Sequence, residues 1–187
     1  MARYVRACEV CQCTKPRVGA IPAPLQPNEA PTKPWQIISI HVIGPLPESS
    51  SDDTILVIVD RLTKMVIAVP TNQELSAEGT ARILRDCVFT IHGILEKIIS
   101  NHGTQFVSKF MTEFYRMMEI EGNPSMAFHP QTDGQTKCIN HGLEKYLWAF
   151  TKSNQTDWSE WIGVATFALN NQVASATGYL PFHLNYG

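Results

Sequence analysis

Three cysteines near the amino terminus, Cys8, Cys11 and Cys13, are the first residues whose type and spacing could do chemistry. Cys8 and Cys11 form a Cys-x-x-Cys pair, which is half of a tetrahedral zinc site. Cys13 adds only a third local thiolate, so no full set of zinc ligands is evident. From the residues alone, Cys8 and Cys11 could either contribute to a zinc site or belong to an irregular arm. The five cysteines of the chain, an odd number, and the lack of an apolar leader argue against a secreted disulfide scaffold.

Elements that could position chemical groups begin only after residue 34. Residues 1–34 hold six of the twelve prolines and a local charge of +3, which predicts an irregular, basic N-terminal arm. Residues 35–187 carry a net charge of −5 and have regular apolar patterns, so we expect one folded domain there. The longest aliphatic run, Ile55–Val59, is far shorter than the roughly 20 residues that a membrane span needs. We therefore expect a soluble protein with no membrane partner.

The apolar pattern of this domain predicts the order β-β-β-α-β-α-β-α-α. β-branched or short apolar runs predict strands at 37–43, 54–60, 64–70, 97–100 and 125–128. Helical spacing predicts helices at 76–93, capped by Ser76, at 107–120, around 139–150, and from Asp157, where Glu160 completes a capping box. A meander that continues through crossover helices predicts an α/β fold, with a mixed five-stranded sheet flanked by helices. This layout is RNase H-like.

Four stretches then carry a resemblance to a known family. They are Val59–Met65 (VDRLTKM), Gly103–Phe106 (GTQF), His129–Thr136 (HPQTDGQT) and Asn185–Gly187 (NYG). In this order and spacing the chain resembles the integrase core of gypsy-type LTR retrotransposons. Cys8-x-x-Cys11 followed by Lys15 resembles the end of the zinc-binding HHCC module of that family, so the resemblance implies that residues 1–34 are a remnant of this module and that Cys8 and Cys11 are a zinc-site remnant. The resemblance implies DNA integration as the function, a nuclear location, and an origin as a piece of a longer polyprotein.

The resemblance also implies a catalytic site, which this chain has altered. Family members use two Asp and one Glu to hold two Mg²⁺ ions for polynucleotidyl transfer, with 35 residues between the second Asp and the Glu. Here the three positions are His41, Asn101 and Lys137, and the spacing of 35 residues is intact. Hard divalent cations need anionic oxygens, and none of these residues supplies one. We predict no bound cofactor and no cutting or joining of DNA.

Two other carboxylates, Asp60 and Asp133, could in principle replace the lost ones, which would make the chain an active integrase. Asp60 ends a predicted strand beside Arg61 and Lys64, where a turn or ion-pair role is the ordinary interpretation. Asp133 lies in a Thr-Asp-Gly-Gln turn, where Asp commonly bonds its own backbone. We expect neither to bind metal.

Weak DNA binding without catalysis is the function we predict. The polar loop predicted at 129–134 lies next to DNA in the resembled family, so His129, Gln131, Gln135 and Lys137 are the candidate contacts. The alternative for this loop is a plain solvent-facing segment. Lys137 replaces an acid with a cation, which makes the site less repulsive to phosphate.

Aromatic residues on the last two predicted helices could stack on bases, but their spacing favours core or helix–helix contacts. They are Trp148, Phe150, Trp158, Trp161 and Phe167. By resemblance the domain could form a homodimer, so a protein-interaction module that does not need DNA is another alternative. The last alternative is that the chain comes from a decayed retrotransposon and has no function.

Overall fold

The computed structural model describes residues 30–100, 103–124, 130–152 and 154–187, and for residues 104, 123–124 and 130–138 it describes the backbone only. Nearly all of the predicted arm, with Cys8 and Cys11, lies outside the described residues. The zinc remnant and the domain boundary at residue 34 therefore stay predictions. No described helix is long and apolar enough to cross a membrane.

Five strands form one mixed sheet in the order β3-β2-β1-β4-β5. Their bounds are β1 Ile37–Ile43, β2 Thr54–Asp60, β3 Val66–Thr71, β4 Lys97–Ser100 and β5 Glu121–Pro124. The β-branched runs of β1 and β2 pair antiparallel, with Ile38 opposite Asp60 and His41 opposite Val57. β4 lies parallel to β1 on its other side. The RNase H-like sheet predicted from the sequence is confirmed, and β1 is its central strand.

The helices cover the two faces of this sheet. α1 (Ala77–Leu84) continues through a π-helical turn (Arg85–Phe89) into α2 (Thr90–His92). α3 (Thr104–Val107) and α4 (Lys109–Met117) follow β4; α5 (Pro130–Phe150), α6 (Trp158–Asn170) and α7 (Pro181–Tyr186) complete the chain. Because side chains alternate along a strand, Ile40 and Leu56 pack with α1 and α4. Ile43 and Val57 pack with α5 and α6 on the opposite face.

Two local signals were predicted correctly in the helix that follows β3. The Ser76 hydroxyl accepts a hydrogen bond from the Gly79 amide and caps α1. The helix ends at Gly93, whose φ of 84° suits glycine because it has no Cβ. The helix predicted at 107–120 is instead two helices, because extended Ser108 separates α3 from α4 and caps the second.

In the second half of the chain two predictions were wrong, and a third falls on residues that the structure does not describe. A strand was predicted at 125–128, which lies outside the described residues, and the structure places β5 at Glu121–Pro124. The loop predicted at 129–134 is helical from Pro130 onward. Asp157 makes no side-chain cap for α6, because its carboxylate accepts from the Lys152 amide and the Trp161 indole instead.

The Asn170 side chain forms hydrogen bonds with β3, the strand at one outer edge of the sheet. Its side-chain amide accepts from the Val66 amide N–H at 2.8 Å and donates to the Val66 carbonyl at 2.7 Å. An edge strand has unpaired backbone groups, and this side chain satisfies two of them as a neighbouring strand would. The last residue of α6 therefore fixes that helix to β3.

Candidate nucleic-acid site

His41 is the one family triad position whose side chain the structure describes. It lies near the carboxyl end of β1, half-buried, opposite Val57 of β2. Val57 and Ile43 both belong to the core under α5 and α6, so the alternation along β1 places His41 on that face. The central strand thus presents an imidazole at the position that the sequence resemblance predicts for the first carboxylate, and this assignment stays a prediction.

The other two triad positions are located by the backbone and the sequence. Ile40 lies beside Ser100 in the parallel pair, and Asn101 follows Ser100 directly in sequence but lies outside the described residues. Lys137 lies in α5, where the backbone alone is described. Six residues later Leu143 is fully buried against the sheet, so Lys137 sits about 9 Å along the helix axis from an anchored position.

The predicted DNA contacts now have a different local structure from the one expected. Gln131 and Gln135 lie in the first turns of α5 and not in a loop, and Asp133 lies between them. Because these residues lie on one continuous helix, they follow one another along its axis with a rise of 1.5 Å per residue. His129 lies outside the described residues.

The donor set at these positions does not fit the metal pair of the family. Mg²⁺ takes oxygen ligands and usually carboxylates. His41 offers a nitrogen, Asn101 a neutral amide, and Lys137 a cation. In the described part of the chain no group of three or more His, Cys, Asp or Glu residues is arranged to hold a metal.

Asp60 is a structural residue, as the ordinary interpretation of the sequence expected. Its side chain is fully buried, and Oδ2 accepts from the Thr63 amide at 2.9 Å and the Thr63 hydroxyl at 2.6 Å. Oδ1 accepts from the Trp35 and Leu62 amides at 3.1 and 3.3 Å. Asp60 also lies opposite Ile38, three residues along β1 from His41, or about 10 Å away. It is a turn residue, and it is not placed to replace a carboxylate at His41.

A cleft of about 240 Å³ with both polar and apolar walls opens beside the carboxyl end of β1. Its walls include Val42, Thr54, Asn72, Gln73 and Gln105. The Asp53 carboxylate accepts from the Gln73 backbone amide at 2.9 Å and from its side-chain amide at 2.6 Å, which holds Gln73 in place. Amide side chains of this kind both donate and accept, so the cleft can hydrogen-bond to bases or phosphates.

Sequence reasoning missed this cleft. Its walls come from four separated segments, and only Gln105 belongs to a motif that the sequence had singled out. A Cβ added at Gly103 would lie 2.7 Å from the Gln105 side chain, so glycine there leaves room for Gln105 to fold back over the start of α3. This close approach is a physical reason for glycine at the first position of the Gly-Thr-Gln-Phe motif.

The aromatic residues separate into core and surface groups. Trp158 is buried and donates from its indole to the Pro47 carbonyl, and Phe150 stacks on Trp161 with ring centroids 5.8 Å apart. Both arrangements were predicted. Trp148 is 67% exposed and Phe167 58% exposed, although Phe167 still contacts Phe182. For Trp148 the expected packing role was wrong.

Comparison with known proteins agrees with this architecture. The chain is 34% identical over 181 residues to the Transposon Tf2-3 and Tf2-4 polyproteins of Schizosaccharomyces pombe, which covers 97% of this chain. It spans 14% of the length of those curated relatives. No family model matches it.

Solved structures show the same fold. The HTLV-2 integrase catalytic core domain in complex with magnesium superposes with a TM-score of 0.65 at 18% identity, covering 83% of this chain and 99% of that one. A simian T-cell lymphotropic virus intasome chain, in complex with PP2A regulatory subunit B56 gamma, gives 0.71 at 15% identity, covering 100% of this chain and 66% of that one. The chain is a homologue of the Tf2 retrotransposon polyproteins with an integrase-type core fold. The resemblance read from its four motifs is confirmed.

This retrotransposon homologue has the strands and the helix that would position three carboxylates. They are the central β1, the adjacent parallel β4 and the long α5. The residues at the three positions are of other types. The substitution of the triad stays a prediction, because it depends on the family positions being carried over correctly.

Proposed function

We propose that this chain is a retrotransposon integrase core domain that binds DNA but does not cut or join it. The observation that supports the proposal is His41 on the central strand of an integrase-type sheet, at the position where the sequence resemblance implies a metal-binding Asp. Integrase-type chemistry is phosphoryl transfer, and metal ions stabilise the attacking and leaving oxygens. Without them, the charge that develops at phosphorus has no counter-charge.

Electrostatics supports the loss of the metal pair. A cation about 4 Å from a unit positive charge, at an effective dielectric near 20, is destabilised by about 4 kcal/mol, and by about twice that beside a divalent ion. Lys137 would impose such a cost on any metal bound at this site. The HTLV-2 core is in complex with magnesium, whereas the residues of this chain do not fit that ion.

DNA binding is supported by polar groups at two places, the start of α5 and the cleft beside the carboxyl end of β1. Gln131, Gln135 and Lys137 follow one another along the first two turns of α5. Gln73 and Gln105 line the cleft beside β1. Amides and one ammonium can bind phosphates and base edges without any metal. The net charge of −5 on residues 35–187 predicts that this binding is weak and sensitive to salt.

The decisive experiment compares strand cleavage and joining by three chains on a branched DNA substrate, with Mg²⁺ or Mn²⁺. They are the native chain, the reversion His41→Asp/Asn101→Asp/Lys137→Glu, and the control His41→Asn/Lys137→Gln, which removes the cation without adding carboxylates. We expect only the reversion to be active, because it alone has three metal ligands. All three chains should still shift a labelled duplex at low salt.

Activity of the native chain would contradict the proposal and direct attention to Asp133, whose side chain is not described. The variant Asp133→Asn would then show whether that carboxylate is used. Activity of the control would mean that the charge of Lys137 alone, and not the missing carboxylates, had silenced the site.

Self-association is a second candidate function, and the exposed aromatic side chains favour it. Trp148 on α5, Phe167 on α6 and Tyr186 on α7 are each more than half exposed. The HTLV-2 integrase cores are described in dimeric and trimeric forms. Sedimentation velocity over a hundredfold concentration range should show a dimer that Phe167→Ser weakens, while Gln172→Ser, another exposed position, should not weaken it.

A further inference from the structure

The solvent face of α5 carries an exposed indole among basic side chains. Trp148 is 67% exposed, although tryptophan is on average one of the more buried residue types. His141 and Lys145 are also exposed, and they lie seven and three residues before Trp148 on the same helix. This spacing places the three residues on one face. Lys152 follows just after the end of the helix, with its side chain 74% exposed.

The exposed part of this face has no carboxylate among the residues whose side chains the structure describes. The exposed residues of α5 there are His141, Lys145, Trp148, Ala149 and Phe150. The acid next to them in sequence, Glu144, is half-buried. Lys145 forms no ion pair within the described part of the chain. An anion that approaches from solvent therefore meets the Lys145 ammonium first.

The Lys152 ammonium also faces solvent, although a carboxylate lies near it. Its Nζ is 3.8 Å from Asp157 Oδ2, a long distance for an ion pair. The Asp157 carboxylate already accepts from the Lys152 backbone amide and from the Trp161 indole. An ion pair of this kind contributes little stability. Lys152 can therefore exchange this contact for a phosphate at small cost.

The Trp148 ring is open to solvent on one side. Its other side borders a small apolar pocket that is also lined by Leu46 and Pro47, in the connection between β1 and β2. No aromatic ring of the described residues stacks on it. The open side of the indole can therefore accept a planar group.

We propose that Trp148 is a stacking platform for an unpaired base of DNA, and that Lys145 and Lys152 bind the phosphates beside that base. This inference rests on the proposed DNA binding and names the kind of DNA that is bound. Aromatic rings flanked by cations bind single strands with little sequence preference, because every base has a π-face. In a duplex the faces of the bases are covered by their neighbours, so this surface favours single-stranded or frayed DNA.

The position of Trp148 on α5 connects this surface to the candidate contacts at the start of the helix. Lys137 lies eleven residues earlier, or about 16 Å along the helix axis. A strand in duplex DNA advances about 3.4 Å per nucleotide. A strand bound at Lys137 would therefore reach Trp148 after about five nucleotides.

Tryptophan emission tests the stacking contact directly. Trp35 and Trp158 are buried and Trp161 stacks on Phe150, so Trp148 is the tryptophan that an added oligonucleotide can reach. We expect a single-stranded oligothymidylate of about ten nucleotides to quench the emission of the native chain. Trp148→Leu should abolish the quenching and weaken binding of this oligonucleotide about tenfold, whereas Trp148→Phe should keep most of the affinity. The preference of the native chain for the single strand over a duplex of equal length should disappear in Trp148→Leu.

Matched variants distinguish this site from general effects of the surface. Tyr179→Leu removes another exposed aromatic ring, and Arg82→Gln removes an exposed cation on α1, which covers the opposite face of the sheet. We expect neither to change the affinity for the oligonucleotide. Lys145→Gln should lower the slope of log K against log salt by about 0.7, and Arg82→Gln should leave it unchanged. Thermal melting checks that each variant folds, which we expect because the replaced side chains are exposed.

Equal affinity of the native chain and Trp148→Leu for the oligonucleotide would overturn this proposal, and binding of a duplex by both would leave the proposed function standing. Failure of the native chain to bind any DNA would overturn both. If Trp148→Leu weakened self-association and left DNA binding unchanged, the proposal would also be wrong, and Trp148 would belong to a contact between two copies of the chain.

Discussion

Asp60 illustrates how the role of a carboxylate depends on its surroundings at the scale of single residues. By type and motif it could have been a metal ligand, but in the fold its two oxygens organise a turn and fasten the Trp35 amide. A buried acceptor that loses its donors is costly, since its desolvation is no longer compensated. The hydrogen bonds of Asp60 therefore contribute to stability.

We expect Asp60→Asn to lower the free energy of unfolding by about 1–3 kcal/mol, because one oxygen becomes an N–H donor that faces other donors. Urea denaturation measures the change. Asp53→Asn is the matched control, since Asp53 bonds Gln73 at an exposed position and its loss should matter less. Equal losses in the two variants would contradict the buried role of Asp60.

Tyr115 offers a pH-dependent prediction. Its hydroxyl is buried without a partner, and burial raises the pKa of Tyr115 to about 12. The unfolded tyrosine ionises near pH 10, so the stability due to the neutral hydroxyl is complete below about pH 10 and is lost as pH rises through 12. Denaturation between pH 9 and 12 should show this loss in the native chain, and a smaller loss in Tyr115→Phe. An identical pH profile in both would contradict it.

The triple reversion has a consequence for stability as well as activity. Three carboxylates close together repel one another, which destabilises the ionised state in the absence of metal. We expect His41→Asp/Asn101→Asp/Lys137→Glu to melt below the native chain without Mg²⁺ and to regain part of the difference with Mg²⁺. Indifference of the melting temperature to both changes would show that these positions do not come together.

At the scale of elements, the sequence predicted the bounds of strands and helices well where β-branched residues or a capping residue were present. The β-branched runs of β1 and β2 and the Ser76 cap were predicted within a residue. The position of β5 was not predicted, because Glu121–Pro124 has no β-branched or aromatic residue and forms through pairing with β4. The Tyr115 ring also fits closely over Gly122, where a Cβ would lie 2.6 Å from it. The start of α5 was missed because Thr-Asp-Gly-Gln is typical of turns.

Asn170 provides a test of how elements are joined. Asn170→Ala removes two buried hydrogen bonds to Val66, and we expect it to lower the free energy of unfolding by about 2–4 kcal/mol. The neighbouring Asn171 is exposed, so Asn171→Ala is the control and should change stability by less than about 0.5 kcal/mol. Hydrogen exchange at β3 should accelerate in the first variant alone.

At the scale of the whole molecule, the fold was predictable and the site only in part. The order of the predicted strands and helices gave the RNase H-like architecture, and the resemblance placed His41 on the first strand, which the structure shows to be the central one. The cleft beside β1 could not be predicted, because Thr54, Gln73 and Gln105 meet only in three dimensions.

The Trp35 side chain joins distant parts of the chain at the far end of the sheet. Its indole donates to Asn185 at 2.6 Å, and its ring stacks on His92 with centroids 3.8 Å apart. When an unfolding machine pulls on the carboxyl-terminal residue, the load reaches α7 before it reaches any strand, and this hydrogen bond resists it together with the packing of Phe182 on the core. We infer that α7 separates first under force, and that a single-molecule pulling trace would show an early, low-force step whose force Asn185→Ala lowers further.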